Sequence, residues 1–315
     1  MVEVTTSGHP LVVLVGPTAS GKTSLALKLA EQFDGEIVSC DAVAVYRGLD
    51  VGSAKPTAAE RERVTHHAID ILNPDEPSTA GDYARVARIA LAGIKARGRL
   101  PIVTGGTGLY LRALMEGLAP APPRDEELRE RLRERAAQHG PEYLHRLLKR
   151  VDPVAAAAIH PNDVPKVIRS VEMTLAARQP QSEQWQAGRD RLQGFRVLQM
   201  GLNPPREALY ERINERAARM FDEGLLEETT TARERYGDAC RALGSLGYAQ
   251  AVAVLRGEAT RAEAIASAQQ GHRNYAKRQM TWFRRDKQIA WLVGFGDDAD
   301  VQARAAELVK RHVTG

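Results

Sequence analysis

The chain has 315 residues, of which 43% are hydrophobic and 27% are charged. These proportions exclude a disordered chain and predict a globular protein with one large domain or two modest ones. Its 44 lysines and arginines exceed its 40 acidic residues by only four. The net charge of the whole chain therefore barely favours an anionic partner, and the position of the positive charge matters more.

The chain has two cysteines, Cys40 and Cys240, and neither has metal-ligand spacing around it. A structural disulfide or a zinc site is therefore not expected. The low cysteine count instead predicts that the protein works in a reducing compartment. The apolar run at residues 11–15 ends at Gly16, which makes it too short for a signal peptide or a membrane span. The sequence predicts a cytoplasmic protein with no membrane segment.

The first predicted elements are a strand, a loop and a helix. Residues 11–15 form a continuous leucine and valine run, which is typical of a strand buried on both faces. Residues 24–33 have helical periodicity. Further strands are predicted at 36–40 and 100–104, each separated from the one before by enough chain for a crossover helix. This alternation predicts an α/β fold with a parallel sheet covered on both faces.

The loop between the first strand and the first helix matches the P-loop pattern. Its residues are Gly16, Pro17, Thr18, Ala19, Ser20, Gly21, Lys22 and Thr23. The glycines let backbone N–H groups turn toward phosphate oxygens, and the helix N-terminus adds its dipole. Lys22 supplies a positive charge, and the Thr23 hydroxyl can ligate Mg²⁺. The loop predicts a substrate with a diphosphate or triphosphate, but it does not establish that ATP is hydrolysed.

Four further features lie at or near strand ends. Asp41 follows the second strand, at the sheet edge where ligands bind in open α/β folds, although a helix N-cap or turn is an equal interpretation. Asp70 resembles the metal-holding aspartate of NTPases, but its apolar run is short, so a structural role is favoured. The turn 105–108 either admits a ligand closely or lets a helix pack tightly. Cys40 is predicted to be a buried strand cysteine.

The composition changes after residue 120. Residues 122–188 have helical patterns broken by prolines and no strand pattern, which predicts a helical insertion domain. The remaining chain, 1–121 and 189–315, is predicted to form the α/β core. In its second part, the sequence predicts strands at 195–202 and 289–293 and a long helix near 207–223.

Residues 271–287 are strongly basic. They contain six lysines and arginines and one acid, for a net charge of +5, and they include Tyr275 and Trp282. Basic groups neutralise phosphates and aromatic rings stack on unpaired bases, a combination suited to RNA. A solvated surface helix anchored by Trp282 and Phe283 is an equal interpretation.

Together these motifs resemble those of the tRNA dimethylallyltransferases, also called tRNA isopentenyltransferases. The matching segments are the P-loop at 16–23, Asp41, VYRG at 45–48, GSAKP at 52–56, GGTGLY at 105–110, IHPND at 159–163 and AKRQMTW at 276–282. They follow one another from about residue 11 to residue 293, and several are peculiar to that family.

The resemblance implies transfer of a dimethylallyl group from dimethylallyl diphosphate to the exocyclic amine of the adenosine just 3′ of the tRNA anticodon. It implies that Asp41 is the general base and Thr107 a second catalytic residue. It also implies that the P-loop and Arg216 hold the diphosphate with Mg²⁺, and that the enzyme is a monomer whose insertion domain grips the anticodon stem. The positions that it assigns to tRNA contact are Asp41, Ala42, Val43, Ala44, Thr107, Arg129, Pro165, Lys166, Val167, Ile168, Arg169, Gly244, Ser245, Leu246, Gly247, Tyr248, Ala249, Lys277, Arg278, Gln279, Trp282 and Arg284.

Two departures from the family pattern affect recognition of adenine. Where the family commonly has Ser-Met-Gln after the aspartate, this chain has Ala42-Val43-Ala44, and Ala249 replaces a basic residue. Three rival functions remain at this point: an isopentenyltransferase of the cytokinin type acting on free adenine nucleotides, a small-molecule kinase using ATP, and a non-catalytic RNA-binding protein.

Overall fold

The structure is a computed structural model, and it describes residues 8–118, 122, 124–184 and 190–315. The chain divides into two units, one formed by Met1–Met115 and Leu192–Gly315 and the other by Glu116–Arg191. The predicted insertion, 122–188, falls inside the second unit. Its first predicted residue, 122, is described, whereas its last, 188, lies outside the described residues.

A parallel sheet forms the centre of the first unit. Its strands are β1 (His9–Val15), β2 (Gly35–Cys40), β3 (His66–His67), β4 (Leu100–Gly105), β5 (Phe195–Leu202) and β6 (Ala290–Leu292). The spatial order is β3-β2-β4-β1-β5-β6, and every neighbouring pair is parallel. The predicted α/β fold with a parallel sheet is confirmed. The sequence analysis missed β3 because it is two histidines long and has no apolar pattern.

Helices connect the strands and form all the regular structure described for the second unit. In chain order they are α1 (Lys22–Gln32), α2 (Ala58–Arg63), α3 (Ala80–Ala96), α4 (Gly108–Glu116), α5 (Glu126–His139), α6 (Pro141–Val151), α7 (Pro153–Ala158), α8 (Val164–Ala177), α9 (Gln181–Gln184), α10 (Arg206–Asp222), α11 (Leu225–Tyr236), α12 (Tyr248–Leu255), α13 (Arg261–Phe283) and α14 (Ala299–Thr314). A 3-10 helix spans Arg241–Gly244. Within the described ranges, no helix is both long enough and apolar enough to cross a membrane.

Both faces of the sheet are covered by apolar side chains. On one face, Tyr83 and Leu91 of α3 pack with Val13 of β1. On the other, Leu25 of α1 and Val309 of α14 pack with residues of β1 and β4. Each fully buried leucine or valine side chain contributes about 1.5–3 kcal/mol of transfer free energy. This burial on two sides explains why β1 is a continuous apolar run rather than an alternating one.

The strand order brings three loops together at one edge of the sheet. The P-loop follows β1, Asp41 follows β2 and Thr107 follows β4. Strand β4 lies between β1 and β2, so the carboxyl ends of all three strands are adjacent. Ligands of open α/β sheets bind at this edge, and the fold therefore positions a site there.

The second unit has a core of its own. Leucines and valines of α5, α6 and α8 pack together there, among them Leu132, Leu148 and Val171. Two buried acids join its helices. Asp152 accepts hydrogen bonds from the Ala155 and Ser182 N–H groups, and Glu172 forms ion pairs with two arginines, Arg129 and Arg169. Buried carboxylates are retained only when they are paired in this way.

In the sheet, Glu36 of β2 is a buried acid with cationic partners. Its carboxylate lies 2.7 Å from Arg97 and 2.6 Å from His67 and is 2% exposed. The hydrogen bond from Arg97, supported by His67 and opposed by burial, lowers the pKa of Glu36 from 4.5 to about 2. A carboxylate whose pKa is lowered on folding stabilises the protein above its unfolded pKa, and that stabilisation is lost as the pH falls through the folded pKa.

We expect Glu36→Gln to lower the free energy of unfolding at pH 7 by about 1–3 kcal/mol, because it removes the charge that Arg97 and His67 stabilise. The difference between parent and variant should shrink by more than half between pH 7 and pH 3 and nearly vanish near pH 2. Urea unfolding at these pH values measures it. A difference that stays the same at pH 3 would contradict this assignment.

Candidate active site

The P-loop turns directly from β1 into α1. Gly21 has a φ of +83°, and a Cβ atom there would lie 2.8 Å from the backbone nitrogen of Gly296. Both the conformation and the close contact therefore require glycine. The ammonium of Lys22 donates a hydrogen bond to the Pro17 carbonyl at 2.7 Å, and the hydroxyl of Ser20 is buried without a partner among the described residues.

The electrostatics of the loop favour an anion. Burial, with a smaller effect of Arg216, lowers the pKa of Lys22 to about 7, and Asp41 opposes the shift. Burial likewise lowers the pKa of Arg216 to about 10. Two cations that are this poorly solvated gain from a bound diphosphate, whose negative charge would raise both pKa values.

Asp41 has a turn role and also faces a cavity. Its Oδ1 atom accepts hydrogen bonds from the N–H groups of Val43 at 2.8 Å and Ala44 at 3.1 Å. In the described part of the chain, no hydrogen bond occupies Oδ2. The turn interpretation is thus correct for one oxygen, while the other remains available to a substrate.

Thr107 lies beside Asp41 because β4 and β2 approach closely at their ends. A Cβ atom on Gly105 would lie 2.1 Å from the Cys40 carbonyl oxygen, so the turn after β4 needs glycine for this approach. The Thr107 hydroxyl accepts a hydrogen bond from the Ala42 N–H at 3.1 Å. Cys40 is buried as predicted, and burial raises the pKa of its thiol to about 12.

Gln279 of α13 joins the P-loop to the turn after β4. Its Oε1 accepts a hydrogen bond from the Thr18 N–H at 2.8 Å, and its Nε2 donates one to the Gly106 carbonyl at 3.0 Å. The side chain is 4% exposed. The sequence analysis assigned Gln279 to tRNA contact; in the structure both ends of its amide form hydrogen bonds within the protein, and the residue also lines the first cavity.

Two cavities open at this sheet edge, with volumes of about 660 Å³ and about 490 Å³. The first is lined by the P-loop from Thr18 to Thr23. The second is lined by residues that follow β2, by residues at and after the end of the 3-10 helix, and by residues of α10 and α13. The residues common to both are Thr18, Asp41, Ser53, Arg216 and Tyr275. A phosphate-bearing donor in the first cavity and an acceptor in the second would therefore meet beside Asp41.

The structure distributes the predicted tRNA residues of the first unit unevenly. The second cavity is lined by Ala42, Val43, Thr107, Gly244, Ser245, Leu246, Ala249 and Arg278. Ala44 instead lines the first cavity and is buried. Tyr248 is fully buried, and its hydroxyl donates to Glu228 at 2.6 Å. The prediction is thus corrected for the Tyr248 side chain, which holds the core together, while Gly247 N-caps α12 beside it.

The basic segment includes the C-terminal end of α13. It combines the exposed basic groups of an RNA-binding helix with the aromatic packing of an anchored surface helix. Lys277, Arg278 and Arg284 are exposed, and α13 ends at Phe283, so Arg284 is its C-cap. Trp282 is 38% exposed and packs on Gly108, where a Cβ atom would lie 2.3 Å from its indole. The segment is therefore anchored by aromatic packing and still presents three cations to solvent.

In the second unit, the predicted tRNA residues include buried and exposed side chains. Val167 and Ile168 are buried in the helical core, so the prediction is corrected for these two side chains. Pro165 and Lys166 lie on the first turn of α8, and both are exposed. Arg129 and Arg169 both form ion pairs with the buried Glu172, at 2.9 Å and 2.7 Å.

The sequence analysis missed a contact between the chain's C-terminal part and the P-loop. The Gly296 N–H donates to the Ser20 carbonyl at 2.9 Å. Arg212 pairs with Asp297 at 2.7 Å and lies 3.7 Å over the ring of Phe295. No local motif marks these residues, because the contact joins segments that are far apart in the sequence.

Asp70 has the structural role that the sequence favoured. Its carboxylate pairs with Lys55 at 2.6 Å and Arg61 at 2.5 Å, and the Lys55 side chain is almost completely buried. The ammonium of Lys55 also donates to the Tyr46 carbonyl at 2.5 Å. This network fixes the segment 46–56, which carries two of the matched motifs and lines the first cavity.

A family model described as IPP transferase matches residues 44–286, and one described as isopentenyl transferase matches residues 9–70. The chain belongs to the IPP transferase family. Its membership makes it a prenyl-transferring enzyme, which excludes the kinase and the non-catalytic RNA-binding protein as functions of the P-loop. The predicted family is thereby confirmed.

Relatives of this IPP transferase match along nearly their whole length. The tRNA dimethylallyltransferase of Koribacter versatilis is 61% identical over 95% of this chain and 98% of its own. The tRNA dimethylallyltransferase of Solibacter usitatus is 50% identical over 96% of this chain and 98% of its own.

Two solved structures share the fold of this IPP transferase. The tRNA isopentenylpyrophosphate transferase of Bacillus halodurans has a TM-score of 0.72 at 36% identity and covers 97% of both chains. A eukaryotic dimethylallyltransferase acting on tRNA has a TM-score of 0.81 at 24% identity, over 97% of this chain and 80% of its own. These matches confirm the predicted P-loop-type fold.

Proposed function

We propose that the chain transfers a dimethylallyl group from dimethylallyl diphosphate to the exocyclic amine of the adenosine just 3′ of the tRNA anticodon. The observation that carries the proposal is that the two cavities share Asp41. A carboxylate at the junction of a phosphate site and a second site is the arrangement that a proton-coupled group transfer needs. The full-length relatives named tRNA dimethylallyltransferase support the choice of substrate class.

The donor's diphosphate is held by the P-loop. Residues 18–23 of the loop, which include the start of α1, line the first cavity, and Lys22 and Arg216 add positive charge. As the bond from carbon to the diphosphate breaks, negative charge grows on the leaving oxygens. Preorganised donors aimed at that charge lower the barrier.

Mg²⁺ fits this site as a partner of the diphosphate. Among the described residues, no group of three or more histidines, cysteines or acids could hold a metal ion. The exposed hydroxyl of Thr23, at the start of α1, is one oxygen ligand, and Mg²⁺ commonly completes its coordination with substrate phosphates and water. When bound, Mg²⁺ neutralises charge on the diphosphate.

The acceptor's proton goes to Asp41. The amine nitrogen of the adenine forms a bond to the allylic carbon while the bond from that carbon to the diphosphate oxygen breaks. The nitrogen then loses one proton to the Oδ2 atom, and Oδ1 keeps its hydrogen bonds to the turn. A positioned base is needed because the adenine lone pair is delocalised into the ring.

The adenine reaches the site only outside its stack. The second cavity, at about 490 Å³, is large enough for an adenine nucleoside, and its walls include Tyr275 and Arg278. Enzymes that modify a base generally unstack it and place it in such a pocket. Because Ala42 and Val43 present no polar side-chain atoms there, we propose that backbone groups and the fixed position of the anticodon loop select the base.

We further propose that the protein acts as a monomer in the cytoplasm and that its second unit binds the anticodon stem. The exposed Lys166 at the start of α8 supports contact with phosphates. The rival that remains within prenyl transfer is an enzyme of free adenine nucleotides.

A single assay separates these functions. Purified protein receives labelled dimethylallyl diphosphate and Mg²⁺ with bulk tRNA or with AMP, and label in tRNA and in AMP is counted. We expect transfer to tRNA alone, at an adenosine 3′ of the anticodon. Label in AMP but not in tRNA would identify the rival, and no transfer to either would reject the proposal.

The exposed cations at the end of α13 allow an electrostatic prediction. Suppose that Lys277, Arg278 and Arg284 each contact a tRNA phosphate. Replacing any one of them by glutamine should then reduce the slope of log affinity against log salt by about 0.7, and the triple variant replaces all three. Binding titrations at several salt concentrations measure the slope. Lys310→Gln, at an exposed position on α14, is the control and should leave it unchanged. An unchanged slope in the triple variant would assign this segment to packing alone.

A further inference from the structure

His272 of α13 is buried without the partners that a buried histidine normally has. Its side chain is 6% exposed, and neither ring nitrogen has a hydrogen-bond partner among the described residues. The Nε atom of Arg216 is buried and unpartnered in the same way. Both residues line the second cavity, and of its described lining residues only these two have such atoms.

The packing of α13 on α10 brings the two residues to one place. The Gln269 side chain donates to the Asn214 carbonyl at 3.1 Å, and Arg273 donates to the Asn214 side chain. Residues 272 and 273 lie on the same face of the helix as residue 269, because they follow it by three and four positions. The face of α13 that includes His272 therefore lies against α10, and His272 and Arg216 of α10 meet at the second cavity, which both residues line.

The charge states of His272 and Arg216 suit a hydrogen bond in which Arg216 donates and His272 accepts. Burial and the nearby Arg216 lower the pKa of His272 to about 4, so the imidazole is neutral at physiological pH. A neutral imidazole has one nitrogen that accepts, whereas a guanidinium only donates. The Nη2 atom of Arg216 already donates to the Thr18 hydroxyl of the P-loop, which leaves Nε for a second partner.

Leaving these atoms unpaired costs folding stability. A buried polar atom without a partner loses its hydration and gains no replacement, and most such atoms in native proteins are paired. Sites that give up stability in this way are commonly functional, because the missing partner is supplied when the site is in use.

We propose that His272 is a positioning residue for Arg216: its neutral imidazole accepts the Nε–H of Arg216 in the donor-bound state and so directs the other edge of the guanidinium toward the diphosphate. The inference rests on the proposed function, in which Arg216 binds the donor's diphosphate. It assigns to α13 a part in donor binding that is separate from its basic end.

The test replaces His272 and measures pyrophosphate binding in the presence of Mg²⁺ by calorimetry. We expect His272→Leu to weaken binding about 10- to 100-fold, as loss of one hydrogen bond to a charged group predicts. Thermal unfolding should show unchanged or higher stability, because two unpaired nitrogens are removed. Either His272→Asn or His272→Gln should restore most of the affinity, since their amide groups replace Nδ1 and Nε2 respectively.

A double-mutant cycle identifies the residue through which His272 acts. Arg216→Ala should weaken pyrophosphate binding, and adding His272→Leu to it should weaken binding no further. Ser170→Ala is the matched control: it also removes a buried unpartnered polar atom, but in the second unit, and should leave binding unchanged.

Three results would overturn the inference. They are normal pyrophosphate binding by His272→Leu, additive losses in the double variant, and a changed preference for the target base with normal donor binding. The last would make His272 a base contact. Failure of the parent protein to bind pyrophosphate is a different result, and it would reject the proposed function itself.

Discussion

Replacing Asp41 by asparagine is expected to lower the rate of prenyl transfer about 10²- to 10⁴-fold while pyrophosphate binding stays within a few-fold of the parent. The loss is that of one general base. Single-turnover kinetics at saturating donor and tRNA measure the chemical step, and calorimetry measures the binding.

The structure explains why this substitution should not disturb the site. The Oδ1 atom of Asp41 accepts the hydrogen bonds that form the turn, from Val43 and Ala44. The asparagine carbonyl can accept both, so the turn is kept and only the charged, unoccupied oxygen is lost. The rate should therefore fall without a change in the free energy of unfolding beyond about 0.5 kcal/mol.

Asp34→Asn is the matched control for this experiment. Asp34 directly precedes β2 and Asp41 directly follows it, so the two acids lie at opposite ends of this strand. Asp34 is exposed. Its replacement should leave the rate unchanged. If Asp41→Asn retained activity within a few-fold of the parent, Asp41 would not be the base.

The second large effect is expected at the P-loop lysine. Lys22→Ala should weaken binding of dimethylallyl diphosphate about 10- to 100-fold, because it removes a hydrogen bond between charged groups. Thr23→Val, which keeps the shape of the side chain but not its hydroxyl, should mainly reduce the gain in affinity that Mg²⁺ produces. Binding titrations with and without Mg²⁺ separate the two effects.

Lys28→Ala controls for the general loss of a positive charge on α1. Lys28 lies nearly two turns further along the helix and is exposed, outside the residues that line either cavity. It should bind the donor as the parent does. Normal donor binding by Lys22→Ala, with a normal response to Mg²⁺, would mean that the loop holds a different ligand.

The sequence by itself determined the features that depend on local chemistry. A glycine-rich loop between a buried apolar strand and a helix is a specific signal for phosphate binding, so the P-loop, the parallel sheet and the position of Asp41 at a strand end could all be predicted. Strand β1 was placed correctly because burial on both faces of a parallel sheet imposes a continuous apolar run. The motifs that follow one another along the chain also determined the family.

Only the tertiary structure decided which side chains face a cavity and which are used within the protein. Gln279 and Tyr248 lie in segments that a motif marks for tRNA, yet their polar atoms pair with Gly106 and Glu228. His272 has no motif, and its relation to Arg216 depends on the packing of α13 against α10. The physical reason is that a hydrogen bond between segments distant in sequence has no local pattern. A motif assigns a segment to a function, but burial and the partners of each atom decide what its side chains do.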